Sequence, residues 1–212
     1  HILHISAKET PEIIRKARRD GVAVTGETCP HYLYLTDRDY DRIGSMIKCY
    51  PPVRYQEDQD ALWESLKDDT LSLVCSDHAP HTKEEKTGSL FKIPSGMCGL
   101  ETLAPLMIQA VNAGRINKNQ LARLMSEEPA KMFGIYPLKG SLELGTDADI
   151  TIVDFDKEYE VDQEKFQSVS KVTAFDGMKI KGCPVYGILR GHVIMEDGAI
   201  TEGEPIGRFI KA

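Results

Sequence analysis

Short apolar runs and helical repeats alternate along the first two thirds of the chain. Residues 1–5 (HILHI), 22–27 (VAVTGE) and 71–75 (LSLVC) are continuous and apolar, the pattern of parallel strands buried on both faces. Between them the period changes. Thr10 and Pro11 read as the N-cap and first residue of a helix that carries Ile13, Ile14 and Ala17 on one side and stops at Gly21. Residues 57–67 (EDQDALWESLK), 100–114 (LETLAPLMIQAVNAG) and 117–134 (NKNQLARLMSEEPAKMFG) have the same helical spacing. Strand then helix, repeated, predicts βα units around a parallel sheet: an α/β fold, as a βα barrel or part of one. After Gly134 the texture is different. Short β-rich runs punctuated by Gly and Asp, such as GTDADITIVDFD, VSKVTAFDGMKIKG and VYGILRGHVIMEDGAI, predict an all-β module. The expected division is a barrel portion over residues 1–137 and a β module over 138–212.

Composition narrows the function classes. With 212 residues, 41% hydrophobic, the chain can bury a core. Its net charge of -7, with no basic cluster interleaved with aromatics, gives nothing to attract a phosphate backbone, so no nucleic-acid partner is expected. No apolar run approaches the roughly 20 residues of a membrane span, and HILHISAKET lacks the order of a signal peptide. A cytoplasmic protein without a membrane partner is expected. The 5 cysteines are scattered with no CxxC pair, which argues against a disulfide framework or a structural zinc knot. The chain opens on His1 and enters a strand directly, so a preceding part of a larger protein is expected.

In a βα barrel, reactive groups gather where strands end. His4, Glu27 and Asp77 hold such positions, and after Asp77 comes an unusually long loop, residues 77–99. Imidazole nitrogen and carboxylate oxygen are the usual ligands of a catalytic Zn2+, and a carboxylate beside an activated water can act as general base. His4 and Asp77 would be two parts of such a site. Two ligands do not hold a catalytic metal, and His31, His78, His81 and His192 offer no HxH or HExxH spacing. His31 reads as structural, Cys29 and Cys75 as core thiols without a paired base, and Lys83–Lys86 as a solvated charged loop.

Several segments, in order, resemble the cyclic amidohydrolases: LHIS, GETCPHYLYLT, KCYPPVR, ALWESL, CSDHAPHTKEEK, GMCGLETLAPLM, EEPAKMFGIYPLKGSLELGTDADITIVD, FDGMKIKGCPVYGILRGHVI and GRFIKA. That family comprises hydantoinases and dihydropyrimidinases, allantoinases and dihydroorotases. The resemblance implies the C-terminal part of a metal-dependent (β/α)8 TIM barrel followed by a small β-sandwich module. It also implies a binuclear divalent metal centre, most readily Zn2+, and opening of a cyclic amide or ureide ring. Matched residue by residue, His4 and Asp77 are similar to two metal ligands, and Asp77 would also move the proton from the attacking water to the leaving ring nitrogen. Tyr50, His81 and Ser95 match substrate-contacting positions. The family's HxH pair, carboxylated Lys and further His have no counterpart in residues 1–212, so the chain is expected to be inactive alone. A homo-oligomer, dimer or tetramer, is also implied.

The subfamily signals differ. DHAPHTKEEK and GLET resemble dihydroorotases, where a His at the place of His81 would meet a substrate carboxylate. GETCPHYLYL is closer to hydantoinases and allantoinases, and FGIYPLKG with GRFIKA to hydantoinases and dihydropyrimidinases, the favoured assignment. A non-catalytic hydantoinase-like scaffold is the rival of another class. Retention of both His4 and Asp77 speaks for the enzyme.

Overall fold

In the computed structural model, which describes residues 1–211, three extended segments lie side by side and run the same way. Strand β1 (Glu27–Thr28) pairs with β2 (Leu73–Val74), and Ile2 bridges to Gly26 on the other side. The N–H groups of Ile2 and Ile5 donate to the carbonyls of Thr25 and Glu27 at 2.9 and 2.8 Å, and those of Ser72 and Cys75 to Gly26 and Thr28 at 2.8 and 3.0 Å. Regular pairing is shorter than the apolar runs predicted. At the start of the second run, Val22 N–H still closes the preceding helix on Ala17 O at 2.9 Å, so that group is not available to a ladder. In the first, His4 turns the backbone out of the extended region at φ 37°. Gly26 is required here: a Cβ would sit 2.7 Å from Ile5 Cδ1 and 2.8 Å from Ile14 Cδ1.

Helix α1 (Glu9–Arg19) starts two residues before the predicted position, with Lys8 rather than Thr10 at its N-cap. The cause is non-local. Asp58, buried in the first turn of α3, accepts the Lys8 N–H at 2.9 Å and the Tyr55 N–H at 3.2 Å, fixing the starts of both helices. Between them lies the short α2 (Pro30–Tyr34), and α3 runs over Gln56–Lys67 as the spacing predicts. Helix α4 (Leu100–Asn112) follows the long loop. The continuous helix expected over 117–134 is interrupted: α5 (Lys118–Ala122) passes into a π-helical turn, Arg123–Glu127, before α6 (Glu128–Met132). Pro129 has no N–H to return to the preceding turn, which accounts for a break at this place.

Beyond the helices, β3 (Ile150–Glu160), β4 (Lys179–Leu189), β5 (His192–Glu196) and β6 (Ala199–Ile200) form one antiparallel sheet in sequential order. Here the prediction of short runs needs correction, because β3 and β4 are each 11 residues long, whereas 168–178 lies outside the strands. β4 packs on α4. Gly182, at φ +97°, lets the strand come so close that a Cβ would meet Ile108 Cγ2 at 2.5 Å. Asn112 Nδ2 then donates to Phe155 O and Lys181 O, both at 2.7 Å, holding both strands to the helix. The core centres on Leu62, Trp63, Leu66, Leu106 and Leu124, and Phe175 and Ile180 join the same cluster. Among the described residues no helix is long and apolar enough to cross a membrane.

Candidate metal centre and substrate loop

The three parallel segments deliver their last residues to one end. His4 follows the first, Cys29 and then His31 on α2 follow β1, and Asp77 follows β2. His4 and Asp77 both lie in the left-handed region, at φ 37° and 44°. Such backbone costs on the order of 1–3 kcal/mol for a non-glycine residue and persists where surrounding structure imposes it, commonly at functional sites. Asp77 tolerates it better than most, because Asp and Asn are among the few side chains that visit this region readily.

Two buried side-chain nitrogens have no hydrogen-bond partner among the described residues: His4 Nδ1 and His31 Nε2. A buried polar atom left unpaired is costly, so two at one strand end mark a place built for another group. His31 is 2% exposed, and burial, with a smaller contribution from His4, pushes its imidazole down to about 3, so the ring is neutral near pH 7. Its Nε2 lies 4.0 Å from Asp77 Oδ2. Cys29 Sγ, a His31 ring nitrogen and an Asp77 oxygen all lie within 4.8 Å of one another. An imidazole nitrogen and a carboxylate oxygen are donors that suit Zn2+ or a similar divalent ion, so these residues fit a metal. His31, expected to be purely structural, therefore belongs to the site's wall with an unused nitrogen facing Asp77. Its position three residues beyond the end of β1 was the available signal.

Glu27, also at a strand end, is engaged sideways. Its Oε2 lies 3.1 Å from His1 Nε2, and its Oε1 accepts from Cys75 Sγ at 2.9 Å. Cys75 Sγ is in turn 3.4 Å from Cys29 Sγ. That shared hydrogen bond, together with burial, pushes the Cys29 thiol well up, so it stays protonated.

The long loop leaves at Asp77 and returns beside it. Ala79 N–H donates to Met97 O at 3.0 Å, and His78 Nδ1 accepts from the Gly99 and Leu100 N–H groups at 3.3 and 3.2 Å, at the start of α4. Two expected substrate residues meet within it: His81 Nε2 donates to Ser95 O at 3.0 Å, and His81 Nδ1 faces Glu85 Oε2 at 3.7 Å. Tyr50 stands on a neighbouring segment, 69% exposed, with the Lys48 ammonium 5.7 Å from its ring centre. The segments are joined by Gly96 N–H to Lys48 O at 2.9 Å. Gly96 is at φ +112°, where a Cβ would strike that of Ala79 at 2.4 Å.

Lys86 corrects the reading of Lys83–Lys86 as solvated. Its side chain is 2% exposed, and Nζ donates to Lys48 O, Pro94 O and Gly96 O at 2.9, 3.3 and 2.8 Å. Burial pushes its pKa down, while the three carbonyls supply the ammonium's partners. One ammonium thus clamps the Tyr50 segment to the Ser95 segment. Lys86→Met is expected to cost about 2 kcal/mol, because three buried carbonyls lose a charged donor. Urea unfolding followed by circular dichroism measures it; an unchanged midpoint would contradict the clamp.

Comparison with known proteins places this geometry. The profile of the Amidohydrolase family matches residues 1–194. The chain is 40% identical over 213 residues to the L-hydantoinase of Paenarthrobacter aurescens, spanning 99% of this chain and 46% of that protein. It is 42% identical over 198 residues to the dihydroorotase of Acetivibrio thermocellus, spanning 93% of this chain and 46% of that one. Among solved structures, the L-hydantoinase (dihydropyrimidinase) from Arthrobacter aurescens superposes with a TM-score of 0.90 at 41% identity, covering 94% of this chain and 45% of that one. A D-hydantoinase gives 0.87 at 35% identity with the same coverage. The chain therefore belongs to the amidohydrolase family, with the amidohydrolase fold of mixed helix and sheet. It spans about half the length of these relatives.

Proposed function

We propose that this chain forms the C-terminal part of a metal-dependent hydrolase that opens a cyclic amide or ureide, of the hydantoinase or dihydropyrimidinase type. The parallel segments and their helices are then the last part of a (β/α)8 barrel, residues 1–137, and 138–212 the β-sandwich module. The observation that carries the reading is the buried, unpartnered Nδ1 of His4, at the same end of the parallel segments as Asp77. His4 and Asp77 would hold a divalent metal, Zn2+ being the best match to their donor atoms. When bound, the metal supplies Lewis acidity that polarises a carbonyl and acidifies water. The ligand set within residues 1–212 is partial, so turnover requires the further ligands of a longer polypeptide or a partner.

Asp77 is the proton carrier. Its carboxylate, one third exposed, can accept a proton from the attacking water and return it to the ring nitrogen as the C–N bond breaks. His31, neutral beside it, leaves the Asp77 carboxylate without a competing cation. Tyr50 and the Ser95 backbone would border the ring, held at a fixed separation by Lys86.

His81 favours a neutral ring over an anionic one. Its Nε2–H is spent on Ser95 O, and its other nitrogen faces a carboxylate, so it shapes the loop and offers no free donor to a substrate carboxylate. The natural polypeptide carrying this chain is expected to open hydantoin or dihydrouracil at least about 10-fold faster than dihydroorotate, a difference of about 1.4 kcal/mol. Turnover of dihydroorotate alone would overturn the assignment, and no turnover of any ring would favour a non-catalytic scaffold.

A further inference from the structure

His78 follows Asp77 directly, yet the ring-opening chemistry gives it no task. Its ring is committed to backbone. Nδ1 accepts the Gly99 and Leu100 N–H groups at 3.3 and 3.2 Å, at the start of α4, where the first N–H groups of a helix have no partner within it. Such groups are commonly capped by a Ser, Thr, Asp or Asn at the helix start itself. Here the N-cap is Gly99, which has no side chain to offer, and the acceptor comes from a residue 21 positions upstream. Two donors aimed at Nδ1 fix the tautomer of the ring, with its proton on Nε2. We propose that His78 is a positioning residue: by anchoring the chain one residue beyond Asp77 to α4, it holds the Asp77 carboxylate where it can meet a metal and carry a proton. This role rests on the reading of Asp77 as metal ligand and proton carrier.

The backbone of Asp77 needs such a hold. At φ 44° it is in a conformation that costs about 1–3 kcal/mol and persists only where neighbouring structure imposes it. Upstream, β2 supplies that constraint, and its ladder continues through Cys75 N–H on Thr28 O at 3.0 Å. Downstream, the constraint is the returning segment 96–99. Its close approach depends on two glycines: a Cβ on Gly99 would meet Ser76 O at 2.5 Å, and one on Gly96 would meet the Ala79 Cβ at 2.4 Å. His78 bridges to Met97 in parallel, and Ala79 N–H donates to Met97 O at 3.0 Å.

The imidazole adds the tie from this paired backbone to the helix. α4 is a firm anchor, because Leu106 and Met107 are fully buried and Glu101, in its first turn, accepts the Gln167 and Ser168 N–H groups, both at 2.9 Å. With the ring contacts gone, Asp77 is free to relax toward an ordinary φ. Its carboxylate would then leave its place 4.0 Å from His31 Nε2, at the end where His4 also stands.

Side-chain shape separates positioning from bulk. The amide oxygen of Asn can stand at the place of Nδ1, whereas the Gln amide reaches the place of Nε2. His78→Asn is therefore expected to keep the two contacts and His78→Gln to lose them. In the natural polypeptide, His78→Gln should weaken Zn2+ binding at least about 10-fold, the scale on which partners behind metal ligands act. It should also lower kcat for hydantoin or dihydrouracil at least about 10-fold while KM changes less than about threefold, and His78→Asn should stay within about threefold of the wild type in all three quantities. In the wild type, which needs no variant to fold, 15N spectra should show the neutral His78 ring protonated at Nε2; a proton on Nδ1 would overturn the proposal. A residue that only caps the helix would lower the melting temperature of His78→Gln and leave kcat and Zn2+ affinity unchanged, which would overturn it as well, as would equal losses in Asn and Gln. If the wild type opens no ring, the ring-opening reading falls while the Zn2+ comparison still decides for or against His78; a wild type that binds no Zn2+ would overturn both.

Discussion

Asp77→Asn is expected to lower ring opening by the natural polypeptide at least about 10³-fold, within the span attributed to general acid–base catalysis. The substitution separates chemistry from structure better than most. Asn has the shape of Asp and also tolerates the left-handed backbone at φ 44°, so the turn out of β2 survives. What disappears is the charge and the ability to take a proton. Thermal melting of the variant should match the wild type within a few degrees, while kcat collapses. A variant that melts normally and retains a tenth or more of the activity would remove Asp77 from the proton-carrying role.

The largest expected loss of stability is at Trp63. Trp63→Ala should cost about 4 kcal/mol, the usual scale for truncating a fully buried aromatic. Its Nε1–H donates to Leu33 O at 2.9 Å, its ring meets Tyr34 edge-on at 5.7 Å, and the Arg115 guanidinium lies 5.8 Å from the ring centre. Tyr34 OH continues the chain of contacts to Leu106 O at 2.6 Å. One side chain therefore joins α3 to α2 and, through Tyr34, to α4. Because α2 carries His31, the cavity would also loosen the wall of the candidate metal centre. Trp63 is the single tryptophan, so unfolding in urea must be followed by circular dichroism rather than by its fluorescence. A loss below about 1 kcal/mol would mean that the neighbouring elements close around the gap.

Much of this arrangement could be read in the residue pattern, and the exceptions share a cause. Apolar runs at 1–5, 22–27 and 71–75 marked the three parallel segments, and the helical period marked α3 to within a residue. What local pattern could not carry was set by distant partners. Asp58 moves the start of α1 back from Thr10, and three carbonyls from residues 48, 94 and 96 draw Lys86 into the interior of a loop whose composition reads as solvated.

At the candidate site, strand-end position alone points to His4 and Asp77. His31 reads as structural in the sequence because a lone imidazole is more often a packed residue than a ligand. Its unused Nε2 becomes visible only when the burial of that atom and the position of Asp77 are known. The contact of Cys29 with Cys75 depends on the register of β1 against β2, which a sequence separation of 46 residues conceals.

The central claim is that His4 and Asp77 hold metal together, and metal analysis of the natural polypeptide tests it most directly. Zinc content after exhaustive dialysis should be one to two ions per chain in the wild type, in keeping with a binuclear site. It should fall by at least one ion in a His4→Ala, Asp77→Asn double variant whose circular dichroism is unchanged. A double variant that keeps the full wild-type zinc, or a wild type that opens rings after all metal has been removed, would contradict the account.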